Sequence, residues 1–331
     1  MTTLTSPHDL LAAIPFLIGY HPLDSLVLVS LKDDQIGMAM RVDFPSDIAV
    51  ESYDLLASHL VREGAEGAFL VAYTSEEIDA EPVLISAAAA LLRAGIALKE
   101  SLIVSGNRYR SLLCADQLCC PASGTEIPSL DSSRIAAEHV IAGHPMPFAT
   151  VADLAQSIAA LPIATDENWV ALVQEFWVDS QLEDSPRQQV QRDGATAIID
   201  LAGEYQLGRG HEDRQLRARV IGRLSDIQVR DFALGAHTDQ ASDSYWAMWR
   251  ELMQVAPSGF VAPIASIFAA VAYERGEGAL AHRALDRALA DDERYSLALL
   301  LRRVFTAGWP PQSFSAMRAQ LHPKVVAGIF G

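Results

Sequence analysis

Basic residues are scarce in this chain, where 25 lysines and arginines stand against 42 aspartates and glutamates and give a formal charge of −17. A surface with this imbalance repels a phosphate backbone unless a local basic face overrides it. Direct binding of nucleic acid is therefore not expected. Another protein or a small molecule stays open as a partner.

Cysteine is also rare, with only three residues, all between positions 114 and 120. An odd number of crowded cysteines does not make a disulfide framework. No apolar run approaches the roughly 20 residues that a membrane span needs, and the chain does not start with a basic stretch followed by an apolar segment. We therefore expect reduced thiols, no membrane insertion and a cytoplasmic location.

The common catalytic signatures are missing from the sequence. There is no Gly-x-Gly-x-x-Gly after a strand, no Gly-x4-Gly-Lys-Ser/Thr, no His-Glu-x-x-His and no Gly-x-Ser-x-Gly. These absences remove the usual evidence for a nucleotide enzyme, a zinc protease or an esterase. Whether the protein is an enzyme stays open.

A helix is predicted near the start of the chain. Ser6 offers a side-chain oxygen to the first free amides, Pro7 fits the first helical position, and Asp9 places a carboxylate near the positive end of the helix. Pro15 lacks an amide hydrogen, and we expect the helix to end there.

Strands and helices then alternate as far as residue 147. The run at 26–31 is apolar throughout, which is typical of a buried strand, and residues 36–44 alternate as its hairpin partner. Strands alternating with helices predict parallel crossovers, so the sequence indicates an α/β domain with a mixed, partly parallel sheet over residues 1–147. The further predicted strands are 67–73 and 98–105, and the predicted helices are 47–62 and 82–94.

Beyond two closely spaced prolines, Pro145 and Pro147, the pattern is helical only, which predicts an all-helical domain over residues 148–331. Small residues at Ala281, Ala284 and Ala288 have the spacing of the second helix of a tetratricopeptide unit. We find no second copy at the proper period, so this pattern predicts one tetratricopeptide-like helix pair.

The three cysteines, Cys114, Cys119 and Cys120, are the clearest chemical signal. A short turn could bring them together, and thiolates in such a loop can hold zinc or act as a redox or nucleophilic site. A tetrahedral zinc site would need a fourth ligand, for which His139 and His144 are the nearest candidates. Small packed residues at a sheet edge are the plainer interpretation.

Four polar residues form a second candidate site, a polar cleft that could hold a ligand. Arg41 and Asp43 share one face of their strand, where they could also be a simple ion pair. His21 and Asp24 precede the first strand together with a serine, which are the residue types of a hydrolytic triad. Neighbours on one turn rarely reach triad geometry, so turn chemistry explains these two residues better.

Five segments carry a family resemblance: the start of the chain (6–26), Arg41-x-Asp43-x-Pro45, the cysteine segment 114–124, 229–231 and 276–289. In these segments the chain resembles the bacterial domain of unknown function 4192 (DUF4192) family. The resemblance covers nearly the whole chain. Tyr20 stands where the family more often has phenylalanine, and Ala122-Ser123 replaces a common proline–glutamate pair. The resemblance implies no activity, substrate or cofactor.

Two functions are consistent with these observations. The first is a ligand-binding or protein-binding regulatory module, favoured by the helix pair and by the missing enzyme motifs. The second is an enzyme, a hydrolase or a thiol-dependent one, with a site between the domains near Arg41, Asp43 and the cysteines. Zinc is a possible cofactor in either case.

Overall fold

A computed structural model describes residues 6–33, 35–44, 50–75, 80–130, 133–143, 145–179 and 183–331. The chain divides by its internal contacts into two compact units, Met1–Asp153 and Leu154–Gly331. The boundary expected after residue 147 stays a prediction. Among the described residues, none of the helices combines the length and apolar character needed to cross a bilayer.

The first unit is built on one mixed sheet, in which six strands of the described chain are ordered β2-β1-β3-β4-β5-β6. The β3–β4 pair is parallel and the other pairs are antiparallel. The mixed, partly parallel sheet is therefore confirmed, and β3 to β4 is its parallel crossover. The strands are β1 (Ser25–Lys32), β2 (Gln35–Asp43), β3 (Gly67–Thr74), β4 (Ala97–Ser105), β5 (Arg108–Ser111) and β6 (Thr125–Glu126).

Helices cover both faces of this sheet. The helices α2 (Val50–Glu63) and α3 (Ala80–Arg93) pack on the face that carries Leu26, Leu70 and Ile103, where they form an apolar core. The helices α1 (Pro7–Ile18) and α4 (Arg134–Ile141) pack against each other, and α1 also contacts β2.

The face opposite that core carries a row of residues that are paired in register across all six strands. Paired residues share a face, and this row has the opposite parity to the core residues. Its members are Asp43, Ser25, Tyr73, Val104, Tyr109 and Thr125.

Helix α1 begins as the sequence predicts but ends later. The Ser6 hydroxyl accepts a hydrogen bond from the Asp9 N–H at 3.2 Å, and Pro7 occupies the first turn. The stop expected at Pro15 is wrong, because the helix continues to Ile18 and closes on Gly19, whose φ is 85°. Pro15 gives up one amide bond, but its carbonyl accepts the Gly19 N–H at 2.8 Å and completes the last turn.

The first unit is closed by a contact between distant parts of the chain. Tyr20 forms a parallel bridge with Phe148. The Phe148 N–H donates to the Gly19 carbonyl at 2.9 Å, and its own carbonyl accepts the His21 N–H at 3.0 Å. Tyr20 is buried at this junction. The segment after α1 is thus held by residues beyond the sheet.

The second unit contains only helices among its described residues, as expected. Its central helix is buried along nearly its whole length and packs closely on the next helix. Starting from α5 (Val151–Gln156), at the division between the units, the helices are α6 (Glu167–Gln174), α7 (Asp184–Gln206), α8 (Arg214–Arg223), α9 (Ile227–Gly235), α10 (Ser242–Val255), α11 (Val261–Glu274), α12 (Gly278–Asp291), α13 (Ser296–Thr306) and α14 (Pro311–Phe330).

The α11–α12 pair is a hairpin held at its open end by one carboxylate. Asp291, at the end of α12, accepts hydrogen bonds from Gly259 N–H at 2.7 Å and from Val261 and Ala262 N–H at 3.0 Å each. The Val261 and Ala262 amides belong to the first turn of α11, where they lack partners within the helix, and the Gly259 amide lies just before it. The Asp291 side chain therefore caps the N-terminus of α11 from the end of the neighbouring helix.

Candidate metal centre

The three cysteines of the first unit meet in the loop between β5 and β6. The Sγ atoms of Cys114, Cys119 and Cys120 all lie within 4.8 Å of one another. All three are free thiols, Cys119 being exposed and the other two half-buried. Tetrahedral Zn–S bonds of about 2.3 Å place sulfurs about 3.8 Å apart. The cluster is thus about 1 Å from the spacing of a thiolate metal site.

One serine anchors the start of this loop. The Ser111 hydroxyl accepts hydrogen bonds from the N–H groups of Leu113 and Cys114, both at 3.1 Å, and donates to Glu100 Oε1 at 2.7 Å. Glu100 belongs to β4, so the loop is tied to the neighbouring strand. This arrangement fixes the backbone that carries Cys114.

A second turn returns the chain to Cys114. The Asp116 carboxylate accepts the Leu118 N–H at 2.8 Å, and the Asp116 carbonyl accepts the Cys120 N–H at 2.7 Å. A carboxylate that binds the backbone two residues later is the usual signal of an Asx turn. These two bonds fold Cys119 and Cys120 back toward Cys114.

The exit of the loop needs a glycine. Gly124 has a φ of 75°, and a Cβ there would lie 3.1 Å from the Tyr109 carbonyl oxygen and 3.2 Å from the Arg108 Cβ. Both the left-handed conformation and the close approach favour glycine. The Arg108 guanidinium donates to the Gly124 carbonyl at 2.6 Å, which directs the chain into β6.

The thiols influence one another electrostatically. Burial raises the pKa of Cys120 to about 11, and hydrogen bonds with Cys114 and Cys119 add to the effect, although a hydrogen bond from the Ser111 backbone opposes it. Cys120 is thus a neutral thiol at pH 7 unless a cation replaces its proton.

The second candidate site has a different character. The Arg41 guanidinium bonds Asp43 at 2.5 Å and the Ser25 hydroxyl at 2.7 Å. The Asp43 side chain is 90% exposed, so this is a surface ion pair that contributes little to the free energy of unfolding. Ser25 in turn donates to the Leu23 carbonyl at 2.6 Å. The structure therefore shows Arg41 and Asp43 bound to each other.

The turn residues before β1 have separate partners. Asp24 accepts hydrogen bonds from the N–H and the hydroxyl of Ser75, both at 3.0 Å, and joins the start of β1 to the end of β3. The His21 backbone bonds Phe148, and partial burial of its ring lowers the pKa of His21. Asp24 and His21 are therefore each bound to a segment distant in the chain.

The two candidate sites are not brought together. Arg41 and Asp43 lie on β2, and the cysteine loop follows β5, with β1, β3 and β4 between them. Four strand spacings amount to about 19 Å along the sheet. A single catalytic site that uses both groups is not formed within the first unit.

Neither histidine expected as a fourth ligand is shown at the cluster. His139 lies on α4, and its ring stacks on Phe16 with centroids 4.4 Å apart. His144 lies outside the described residues.

Sequence reasoning gave no role at this site to His8 or Tyr109. The two rings meet edge to face with centroids 5.2 Å apart. Burial raises the pKa of Tyr109, and the thiols of Cys120 and Cys119 raise it further. The fold thus places an imidazole on one side of Tyr109 and the thiols close by. No sequence pattern near Cys114 indicates this neighbour.

Comparison with known proteins adds a family and no function. Comparison with curated proteins and with solved structures finds no match. The model of the family described as "Domain of unknown function (DUF4192)" matches residues 7–312, which includes the sheet, the cysteine loop and most of the helical unit. The chain therefore belongs to the DUF4192 family.

Proposed function

We propose that this protein is a binding module whose α/β unit holds zinc through Cys114, Cys119 and Cys120. The observation that carries the proposal is the mutual approach of the three Sγ atoms to within 4.8 Å. Among the common divalent ions thiolates favour zinc, a borderline ion that binds soft sulfur readily, over the hard ions Mg²⁺ and Ca²⁺, which prefer oxygen. Zinc would replace three thiol protons and fasten the loop between two short strands.

The thiol chemistry favours metal binding over nucleophilic catalysis. A reactive cysteine needs a depressed pKa, which a neighbouring cation or a helix N-terminus provides. The pKa of Cys120 is instead raised to about 11 by burial and by the adjacent thiols. Arg41 and Asp43 lie on a distant strand and bind each other. A hydrolase or thiol-dependent enzyme is the weaker alternative for these reasons.

In this proposal the helical unit supplies the surface for a protein partner. The α11–α12 hairpin supports the tetratricopeptide-like interpretation, because Ala281, Ala284 and Ala288 are all buried where the helices pack closely. Small residues at such positions let two helices approach. The bacterial cytoplasm suits the module, since a thiolate site requires reduced cysteines.

Metal content tests the proposal directly. The full chain is purified without a metal-affinity step, and zinc is measured by elemental analysis in the wild type, in the Cys119→Ser/Cys120→Ser variant and in Gln117→Ala. Gln117 is an exposed residue of the same loop, which makes its variant a matched control. One zinc per chain that is lost only in the cysteine variant supports the proposal. A metal-free wild type that also fails to take up added zinc overturns it.

A further inference from the structure

His8 is a half-buried histidine with one buried ring nitrogen that has no hydrogen-bond partner among the described residues. It lies in the first turn of α1, and the atom without a partner is its Nε2. A buried polar atom without a partner costs free energy, so such an atom in a folded protein needs an explanation. Nε2 is also one of the two histidine atoms that bind zinc.

The position of His8 relative to the sheet brings it near the cysteines. Its ring contacts Tyr109 edge-on, at an interplanar angle of 87°. Tyr109 lies on the face of the sheet opposite α2 and α3, paired with Thr125. The Thr125 hydroxyl lies 3.5 Å from the Cys119 carbonyl. His8 and the cysteine loop therefore both adjoin Tyr109.

We propose that His8 supplies the fourth ligand, so that zinc is held by three cysteine sulfurs and the Nε2 atom of His8. This inference rests on the proposed function of the thiol cluster. Among the residues that the structure describes, only the cysteines form a set of ligand atoms within 4.8 Å of one another. Ligation therefore requires the imidazole and the exposed part of the loop around Cys119 to approach each other.

A site with three cysteines and one histidine has no open position. It belongs to the structural class of zinc sites, in which all four ligands come from the protein and no water is activated. The metal would link the start of α1 to the β5–β6 edge of the sheet. Its expected role is to fasten a helix to the sheet, with no role in catalysis.

X-ray absorption at the zinc edge tests the ligand set on the full chain loaded with one equivalent of zinc. We expect three sulfurs near 2.3 Å, one nitrogen near 2.0–2.1 Å and the outer-shell scattering of an imidazole. His8→Ala should remove the imidazole signal. It should also lower the zinc affinity, measured by competition with a chelator, by more than about 100-fold, since losing only a supporting partner costs 10–100-fold.

Two further variants serve as controls. His139→Ala, at a histidine of α4, should keep the imidazole signal. His8→Cys should restore tight binding through four sulfurs, which distinguishes a lost ligand from a damaged fold. Zinc that binds with three sulfurs and no imidazole, or an imidazole signal that survives in His8→Ala, overturns this inference and leaves the proposed function intact. A wild type that takes up no zinc overturns both.

Discussion

Removing Arg318 should destabilise the helical unit strongly. Its guanidinium bonds Glu274 at 2.6 and 3.1 Å and donates to the carbonyls of Gly235 and His237 at 3.1 and 3.3 Å. Both charged side chains are nearly inaccessible, at 7% and 10% exposure. Arg318→Ala leaves a buried carboxylate without its cation. Breaking such a pair from one side costs about 3–5 kcal/mol of the free energy of unfolding.

Tryptophan fluorescence is a selective assay for this effect, because all five tryptophans lie beyond residue 154. For a unit of this size a loss of about 3–5 kcal/mol lowers the midpoint of thermal unfolding by roughly 6–20 °C. Arg294→Ala is the matched control, since Arg294 and its partner Glu293 are 89% and 82% exposed. Its expected cost is below about 0.5 kcal/mol. An Arg318→Ala chain that loses less than about 1 kcal/mol would refute the reasoning.

The pH dependence of stability gives a second measure of the same pair. Burial alone would raise the pKa of Glu274, but the hydrogen bonds from His237 and Arg318 outweigh it and lower that pKa below its ordinary 4.5. A carboxylate with a depressed pKa contributes stability above 4.5 that is lost as the pH falls through its folded-state value. Arg318→Ala should weaken this acid dependence, whereas Arg294→Ala should leave it unchanged.

Three further predictions concern the cysteine loop and the α11–α12 hairpin. Zinc binding should release protons, because the pKa of Cys120 is raised to about 11 and its thiol must lose a proton to bind the metal. The apparent zinc affinity should therefore rise with pH, and calorimetry in buffers of different ionisation enthalpy measures the proton release. Ser111→Ala removes two bonds to loop amides and should weaken zinc binding about 10-fold in chelator competition. Asp291→Ala should cost about 1–2 kcal/mol in fluorescence-monitored unfolding, since three amides at the start of α11 lose their acceptor.

Each of these three predictions has a result that would contradict it. Binding heats that do not vary between buffers would mean that the thiols are already ionised. Gln117→Ala and Ser111→Ala with equal zinc affinities would mean that the serine does not position the loop. Glu293→Ala changes an exposed residue just after α12 and should leave the free energy of unfolding unchanged. If it costs as much as Asp291→Ala, the effect comes from local charge and not from the hydrogen bonds.

Much of the fold could be predicted from local patterns. The continuous apolar run of β1 predicted a strand buried on both faces, and Ser25 to Ser30 are buried. The helix start at Ser6 and Pro7 is also confirmed. The relative direction of neighbouring strands was harder to predict, because an alternation of strands and helices does not show that β1 and β3 run antiparallel. The last helix, α14, was not predicted. It contains Pro323 and buries Arg318, so its sequence lacks a clear apolar stripe.

The candidate site could also be predicted from the sequence only in part. The close approach of the cysteines depends on a short turn, and the sequence did predict that a turn between Cys114 and Cys119 could bring thiols together; their proximity is confirmed. The neighbourhood of His8 depends on α1 lying over β5, a contact between residues far apart in the chain. Local periodicity carries no information about such a contact. The sequence therefore assigns no role at the cysteine loop to His8.

The bridge between Tyr20 and Phe148 has a consequence for synthesis of the chain. A ribosome makes the α1 segment first, yet its closing partner emerges only after the whole sheet has been translated. The nascent α/β unit therefore stays incomplete until Phe148 leaves the exit tunnel. The helical unit shares this dependence, because its last helix, α14, packs on α9, α7 and α11. Each unit is thus completed only by contacts with a segment near its own C-terminal end.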